Sequence, residues 1–268
     1  MGLVTSERRG AAAVLSYANP PLGVMTAAGA EALFQAVRAA VDDAAVRCIV
    51  LTGGLPGIFV RHYDVGELTV LGERLAQAPT AAPPPAAQRP AGGFLGLTDL
   101  VAAAEKPVIA AINGLCMGGG FELSLACDIR IAGRDVTAIG LPETRVGIFP
   151  GGGGTQRLPR VIGEARALEM ILRGRVVTGP AALEIGLVHE VADDPLARAL
   201  EIAEEFAARP PEGVAYAKRL TRAALDRPLS EGLADERRSF SEVVRLPSAI
   251  AAMKVSLAGA PLGSREPS

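Results

Sequence analysis

Short apolar runs alternate with longer amphipathic segments in the first half of the chain. Val14–Tyr17 is a short strand candidate, and Val46–Thr52 is a nearly continuous apolar run of the kind found in buried parallel strands. Between them, Thr26 precedes a segment with one apolar face, and a threonine in this position caps the start of a helix. That face carries Leu33, Val37 and Val41. The order strand, helix, strand predicts a crossover unit.

The alternation continues to Gly154, after which the pattern becomes mainly helical. Further short strands are predicted at Val108–Ile112, Cys127–Ala132, Thr137–Gly140 and Leu187–Val191, and a loop is predicted at Ile58–Val65. Helices are predicted at Leu97–Ala104, from Gly118 to about Ala126, at Gly163–Leu172, from Thr178, and in three or more segments after Pro195. We therefore expect an α/β fold, with a core in residues 1–195 and a helical region in residues 196–268.

Composition narrows the classes of function. The chain has 268 residues, 49% of them hydrophobic, which is enough for one large domain with a sizeable core. A formal net charge of −2 and the absence of Trp argue against a nucleic-acid partner, and the charge argues against a membrane surface. No apolar run is long enough to span a bilayer, and residues 1–9 do not resemble a secretory signal, so we expect a cytoplasmic protein.

The three cysteines are Cys48, Cys116 and Cys127, each in an apolar run. Their odd number and wide spacing argue against a disulfide framework or a zinc site, so we expect buried, reduced thiols.

One segment interrupts the pattern. Residues 79–93 are rich in proline, alanine and glycine, which predicts a flexible excursion.

A first candidate site lies at the predicted helix start Gly118-Gly119-Gly120. The first N–H groups of a helix have no partner within it, and the helix dipole adds positive character there. Such a start can bind a phosphate or a developing oxyanion, and Glu122 follows in the first turn. The spacing is equally compatible with a tight turn and a carboxylate that favours a helix start.

Two further segments contain candidate chemistry. Glu143 follows a predicted strand at a turn fixed by Pro142, and it pairs with Glu122 as a candidate for general acid–base work. The glycine run at 151–154 lacks the lysine and hydroxyl ending of a phosphate-binding loop, so we interpret it as a structural loop before a helix. The loop predicted at Ile58–Val65 follows a buried strand, where sites often form.

With these residues in view, the chain resembles the crotonase family, also called the enoyl-CoA hydratase/isomerase superfamily. The motifs that carry the resemblance are Ala-Ile-Asn-Gly-x-x-x-Gly-Gly-Gly-x-Glu, ending at Glu122, and Pro-Glu followed by Pro-Gly-Gly-Gly-Gly-Thr-Gln-Arg-Leu, ending at Leu158. The resemblance implies a spiral of repeated ββα units followed by C-terminal helices. It also implies that residues 196–268 mediate trimerisation and that the protein is a trimer or a hexamer.

The resemblance further implies an acyl-CoA thioester as substrate and no metal or other cofactor, since CoA arrives with the substrate. Backbone N–H groups of Gly119 and Tyr63 would form the oxyanion hole, and Glu122 and Glu143 would share the water that is added. Residues expected to contact substrate are Arg61, His62, Asp64 and Gly118.

The chain departs from the family at Arg61-His62-Tyr63, where relatives have small residues, and just after Asp64, where Val65 and Gly66 stand in place of a basic residue. A bulky side chain here is expected to reshape the acyl pocket. We interpret His62 as a packing or loop residue in preference to a catalytic one, and His189 as structural. The segment 79–93 lies where relatives carry a variable cover over the acyl pocket, which suggests a lid that influences chain length.

The sequence therefore predicts an enoyl-CoA hydratase, a lyase of fatty acid metabolism. The alternatives are another crotonase-type reaction, such as double-bond isomerisation, hydrolysis or decarboxylation, or a non-catalytic CoA-binding relative. Both glutamates are retained, which favours hydration, because isomerases of the family often keep only the second. Tyr216, Lys218 and Arg219 are predicted on a helix surface, where one of them could reach the CoA of a neighbouring subunit.

Overall fold

The computed structural model describes residues 2–77 and 92–258 of the protein. All but the last two residues of the predicted excursion at 79–93, and with them the lid hypothesis, lie outside these described residues.

The described residues form ten strands and eleven α-helices. The strands are β1 (Val4–Arg9), β2 (Ala12–Tyr17), β3 (Cys48–Gly53), β4 (Gly57–Val60), β5 (Val108–Ile112), β6 (Gly114–Met117), β7 (Ile129–Gly133), β8 (Ile139–Gly140), β9 (Val176–Val177) and β10 (Glu190–Ala192). The helices are α1 (Ala27–Asp42), α2 (Val65–Gln77), α3 (Gly93–Ala103), α4 (Gly119–Ala126), α5 (Gly154–Ile162), α6 (Glu164–Leu172), α7 (Gly179–Glu184), α8 (Pro195–Ala207), α9 (Pro211–Ala223), α10 (Leu229–Val243) and α11 (Pro247–Leu257). A short 3-10 helix spans Glu143–Val146.

Two sheets share these strands. The larger has the order β1-β2-β3-β5-β7-β10 and is parallel except for β1, and the smaller has the order β4-β6-β8-β9 and is parallel except for β9. Consecutive strand pairs β3–β4, β5–β6 and β7–β8 each place one strand in each sheet. The repeated ββα units predicted from the resemblance are therefore confirmed, as is the parallel pairing of the Val46–Thr52 run.

The predicted start of α1 is also confirmed. Thr26 caps the helix by accepting a hydrogen bond from the Gly29 N–H at 3.1 Å. Leu33 and Val37 are buried on its inner face. At the other end, the Lys106 ammonium donates to the carbonyl oxygens of Ala40 and Asp43, at 2.9 and 2.6 Å, where the helix leaves carbonyl groups unpaired.

The core lies between the larger sheet, α1, α3 and the interior of the spiral. Its fully buried members include Leu15, Ile49, Leu97 and Phe121. The three cysteines are free thiols and are all buried, as expected. Helix α4 is buried along its whole length, which fixes the position of every residue that it carries.

Several predicted boundaries were wrong, and the reasons are physical. Strand β1 was missed because it is an exposed edge strand of mostly polar residues, which produce no apolar run. Ile58–Val65 is not a continuous loop: its first three residues complete β4, and α2 begins at Val65. Strand β6 has only four residues, too short for a visible period, and the last strand runs from Glu190 to Ala192 instead of starting at Leu187.

The prediction that Lys218 lies on an open helix surface was wrong. Its side chain is only 9% exposed and forms an ion pair with Asp128 at 2.8 Å. The ammonium also donates to the carbonyl oxygen of Lys106 at 3.0 Å. Lys218 thus anchors α9 to the end of α3 and to the core. Tyr216 and Arg219 do lie at the surface, where they bond Glu242 and Asp235.

From Pro195 to Ala258, the last described residue, the chain forms four helices. Helix α8 packs on the larger sheet through Ala199, Ile202 and Ala203. Helices α9 and α11 have no buried residue, and α10 buries only Asp235 and Ser239. The division of the chain at residue 195 stays a prediction. No helix in the described part of the chain is long and apolar enough to cross a membrane.

Candidate active site

The candidate site lies at the carboxyl ends of three adjacent parallel strands. Strands β4, β6 and β8 are neighbours in the smaller sheet, so the segments that follow them meet at one edge. The first segment contains Tyr63, the second contains Gly119 and Glu122, and the third contains Glu143. The fold therefore brings together all four residues that were predicted for catalysis and oxyanion binding.

Close packing of α4 against β4 sets the spacing of the site. Gly120 lies so near β4 that a Cβ added to it would overlap the carbonyl oxygen of Val60. One residue earlier, a Cβ on Gly119 would stand 3.5 Å from the backbone nitrogen of Tyr63. Glycine is required at position 120, where no side chain fits between the two segments, and a Cβ at position 119 would be tightly packed, 3.2 Å from the side chains of Phe94 and Tyr63.

Two backbone N–H groups are thereby placed side by side. The N–H of Gly119 is the first of α4 and has no acceptor within the helix. The peptide group that carries the Tyr63 N–H is anchored through its carbonyl, that of His62, which accepts from the Met25 N–H at 2.7 Å. The peptide group that carries the Gly119 N–H is anchored in the same way, because the Gly118 carbonyl accepts from the Glu122 N–H at 2.9 Å. Hydrogen bonds at the carbonyl end polarise a peptide group, so both N–H groups are strengthened as donors.

Glu122 is held by the glycine-rich segment at 151–154. Its Oε1 accepts hydrogen bonds from the N–H groups of Gly152 and Gly154, at 2.7 and 2.8 Å. Burial raises the pKa of the Glu122 carboxyl, and these two N–H groups oppose that shift by stabilising the charged form. The carboxylate is thus fixed in one orientation.

Glu143 has a different environment. It begins the 3-10 helix after β8, and its Oε1 lies 3.3 Å from the position that a Cβ on Gly118 would occupy. Its Oε2 is buried without a hydrogen-bond partner in the described structure. Burial raises the pKa of the Glu143 carboxyl to about 7, and the nearby Glu122 charge acts in the same direction. A buried oxygen without a partner favours the protonated acid over the anion.

Two aromatic rings close the site on the side of α3. Phe94 packs edge-on against Tyr63, with ring centroids 5.5 Å apart, and also lies against Gly119 and Gly152. Burial raises the pKa of the Tyr63 phenol to about 12, so this side chain stays neutral. The rings exclude water from the region beside Glu122, which makes its electrostatic interactions stronger.

The other predicted substrate contacts are placed as follows. Gly118 lies between Glu143 and His62, with a backbone φ of 50° that glycine adopts readily. His62 and Arg61 are half-buried in the segment after β4. The Asp64 carboxylate accepts from the Glu67 N–H at 2.9 Å, which caps the start of α2.

Sequence reasoning missed the part that the glycine run plays. Residues 151–153 do form a loop before α5, as predicted, and Gly154 begins the helix, but the N–H groups of Gly152 and Gly154 also hold Glu122. Arg157 holds the same loop by donating to the Gly152 carbonyl oxygen at 2.9 Å. The only signal in the sequence was the density of glycines, which leave backbone N–H groups accessible. His189 accepts from the Arg130 N–H at 3.1 Å, in agreement with a structural role.

Among residues 2–77 and 92–258, no three histidine, cysteine or acidic side chains are grouped so that they could hold a metal ion.

The fold and the site define a class of protein: a spiral of ββα units in which two backbone N–H groups and two glutamates meet at one edge of the smaller sheet. The chain matches the family described as enoyl-CoA hydratase/isomerase over residues 7–250. It therefore belongs to this family, the crotonase family, whose members are enzymes that act on acyl-CoA thioesters.

Individual relatives agree. YngF of Bacillus subtilis (strain 168), whose name assigns it to the enoyl-CoA hydratases/isomerases, is 41% identical over 201 residues, which cover 74% of this chain and 73% of YngF. The mitochondrial methylglutaconyl-CoA hydratase of Rattus norvegicus is 37% identical over 79% of this chain, a match that spans 65% of its own length. A solved enoyl-CoA hydratase from Bacillus anthracis superposes with a TM-score of 0.84 at 29% identity, with 96% of each chain covered.

Proposed function

We propose that the protein is an enoyl-CoA hydratase that adds water across the double bond of a trans-2-enoyl-CoA thioester. The observation that carries the proposal is the placement of the buried Glu122 and the half-buried Glu143 beside the paired N–H groups of Tyr63 and Gly119. Acyl-CoA chemistry follows from membership of the family, and hydratases are among the relatives. Hydration is the reaction that uses both acid–base groups.

In this proposal the thioester oxygen lies between the N–H groups of Tyr63 and Gly119. Addition of water to the β carbon pushes negative charge onto that oxygen and forms an enolate. Preorganised donors stabilise the charge as it develops, and the loss of one such donor in comparable sites costs about 3 kcal/mol. Arg61, His62, Asp64 and Gly118 then contribute to the wall and support of the substrate site.

The two carboxylates divide the proton transfers. Glu122, oriented by two N–H groups, accepts a proton from the attacking water as its oxygen bonds to the β carbon. Glu143, whose pKa is raised to about 7, donates its proton to the α carbon. The two groups lie close enough to influence each other, so they titrate as a coupled pair. Atoms balance, because the water supplies both the hydroxyl group and the proton that replaces the one donated.

The alternatives use the same oxyanion site: isomerisation and decarboxylation form an enolate there, and hydrolysis forms a tetrahedral oxyanion. Double-bond isomerisation, hydrolysis and decarboxylation need the oxyanion site but not a second acid–base group. Retention of both glutamates supports hydration over these reactions and over a non-catalytic CoA-binding role. No metal or further cofactor takes part in the proposed reaction.

We also propose that the chain assembles as a trimer or hexamer and acts in the cytoplasm. Ile250 and Met253 of α11 are 39% and 45% exposed in the single chain, as expected for side chains that a neighbouring subunit covers. Light scattering that detected only a monomer would contradict this assembly.

The test is hydration in water enriched in heavy oxygen. Purified protein should consume a short trans-2-enoyl-CoA, followed by loss of enoyl thioester absorbance, and the heavy oxygen should appear at the β carbon of a 3-hydroxyacyl-CoA. A long-chain substrate is measured in parallel because the acyl preference is open. Failure to hydrate either substrate, together with turnover of a 3-enoyl-CoA or release of free CoA, would replace hydration by isomerisation or hydrolysis.

A further inference from the structure

At Tyr63, the segment after β4 is held by Met25 on one side. Met25 and Tyr63 form an isolated parallel bridge, in which Met25 donates to the His62 carbonyl and accepts from the Asp64 N–H, both at 2.7 Å. In extended backbone, successive peptide groups point to opposite sides. The N–H and the C=O of Tyr63 itself therefore both point away from Met25.

This arrangement creates an electrostatic conflict. The Tyr63 N–H lies near Gly119, where the proposed oxyanion forms. The Tyr63 carbonyl oxygen leaves the backbone on the same side, and its negative end would oppose an anion there. The carbonyl is part-buried, so a hydrogen-bond donor stabilises it.

The imidazole of His62 supplies that donor. Its Nδ1 lies 2.7 Å from the Tyr63 carbonyl oxygen. Because a carbonyl oxygen only accepts, Nδ1 must carry the proton. The His62 Cβ stands 3.4 Å from the position of a Cβ on Gly118, so the side chain lies beside the site.

We propose that His62 is a positioning residue: its Nδ1–H holds the Tyr63 carbonyl and so orients the Tyr63 N–H toward the thioester oxygen. The bond also offsets the negative end of the carbonyl dipole that faces the developing charge. The inference rests on the proposed oxyanion chemistry. It gives a role to His62, which lies in the segment where relatives have small residues.

The first test measures the tautomer and needs no turnover. The chain has two histidines, and the structure gives them opposite tautomers. His62 donates from Nδ1, whereas His189 Nδ1 accepts from the Arg130 N–H and so must carry its proton on Nε2. Nitrogen NMR spectra are recorded on histidine-labelled protein at a pH where both rings are neutral. One ring should show the pattern of a proton on Nδ1, and the other ring should show the pattern of a proton on Nε2. The spectrum of His62→Asn assigns the two signals. A His62 ring protonated on Nε2 would overturn the proposal.

The second test separates positioning from packing. An asparagine amide nitrogen can occupy the place of Nδ1 and donate, whereas alanine cannot. His62→Ala should lower kcat for a trans-2-enoyl-CoA about tenfold, the effect of one lost hydrogen bond that matters in the transition state. The Kd for saturated butanoyl-CoA should change less than kcat. His62→Asn should restore kcat to within about threefold of wild type. His189→Asn, the matched control away from the site, should leave kcat unchanged.

The outcomes are distinct. Equal losses of kcat in His62→Ala and His62→Asn, or no loss in either, would overturn the positioning role. If the wild-type protein hydrates no enoyl-CoA, the proposed function fails, while the tautomer measurement still decides whether His62 holds the Tyr63 carbonyl.

Discussion

Glu143→Gln and Glu122→Gln should each lower kcat for enoyl-CoA hydration by about 10²–10⁴-fold, the usual contribution of a positioned general acid or base. Glutamine keeps the size of the side chain but neither donates a proton as an acid nor accepts one as a base. Binding of saturated butanoyl-CoA, measured by calorimetry, should change much less, because the N–H groups of Tyr63 and Gly119 remain in place. Hydration that survives both substitutions would remove these residues from the mechanism.

The same Glu143→Gln substitution should stabilise the folded protein at alkaline pH. The carboxyl has a pKa of about 7 in the folded chain against the ordinary 4.5, so the folded state holds this proton more tightly than the unfolded state. The stability that the protonated group contributes is complete below about pH 4.5 and is lost as pH rises through about 7. Above that range the ionised group lowers the free energy of unfolding by about 2 kcal/mol, after allowance for its partial exposure.

Urea unfolding at several pH values checks this expectation. The free energy of unfolding of Glu143→Gln should exceed that of wild type above pH 7 and approach it near pH 4.5. A pH-independent difference between the two proteins would contradict the environment described for Glu143. The combination of higher stability with lost activity is the expected signature of a strained functional group.

Gly120→Ala should damage both stability and catalysis. The new Cβ would overlap the Val60 carbonyl oxygen and stand 2.8 Å from the Val60 Cβ, so α4 and β4 must separate. Overpacking of this kind costs about 1–3 kcal/mol, and we expect the upper end because the nearest overlapped atom, the Val60 carbonyl oxygen, belongs to the backbone. Since α4 carries Gly119 and Glu122, the shift should also lower kcat/KM by about 100-fold, the effect of a misplacement of about 1 Å.

Gly213→Ala is the matched control for this substitution. Gly213 lies in α9, and a Cβ there meets no atom within 4 Å. Alanine should stabilise the helix by about 0.5 kcal/mol and leave kcat/KM unchanged. Thermal unfolding measures the stability of both variants, and the hydration assay measures their kcat/KM. If Gly120→Ala behaves like Gly213→Ala, the close packing of α4 on β4 is not what fixes the site.

The parts of the fold that sequence predicted are those governed by local patterns. Thr26 marked the start of α1 because a helix cap needs only a hydroxyl and the following N–H groups. The Val46–Thr52 run marked a central strand because burial on both faces leaves a continuous apolar segment. Strand β1 was not predicted because an exposed edge strand carries polar residues. The burial of Lys218 was not predicted because its ion-pair partner, Asp128, lies 90 residues away in the chain.

The sequence by itself determined the family, the glycine-rich start of α4 and the identity of the two glutamates, because these depend on residue types at fixed local spacing. Tertiary structure alone decided how the site works. Folding brought the Tyr63 and Gly119 N–H groups together, placed Gly152 and Gly154 on Glu122, and left an oxygen of Glu143 buried without a partner. The physical reason is that hydrogen-bond pairing and pKa depend on the groups that surround a residue in space, and here those groups come from segments that are far apart in the chain.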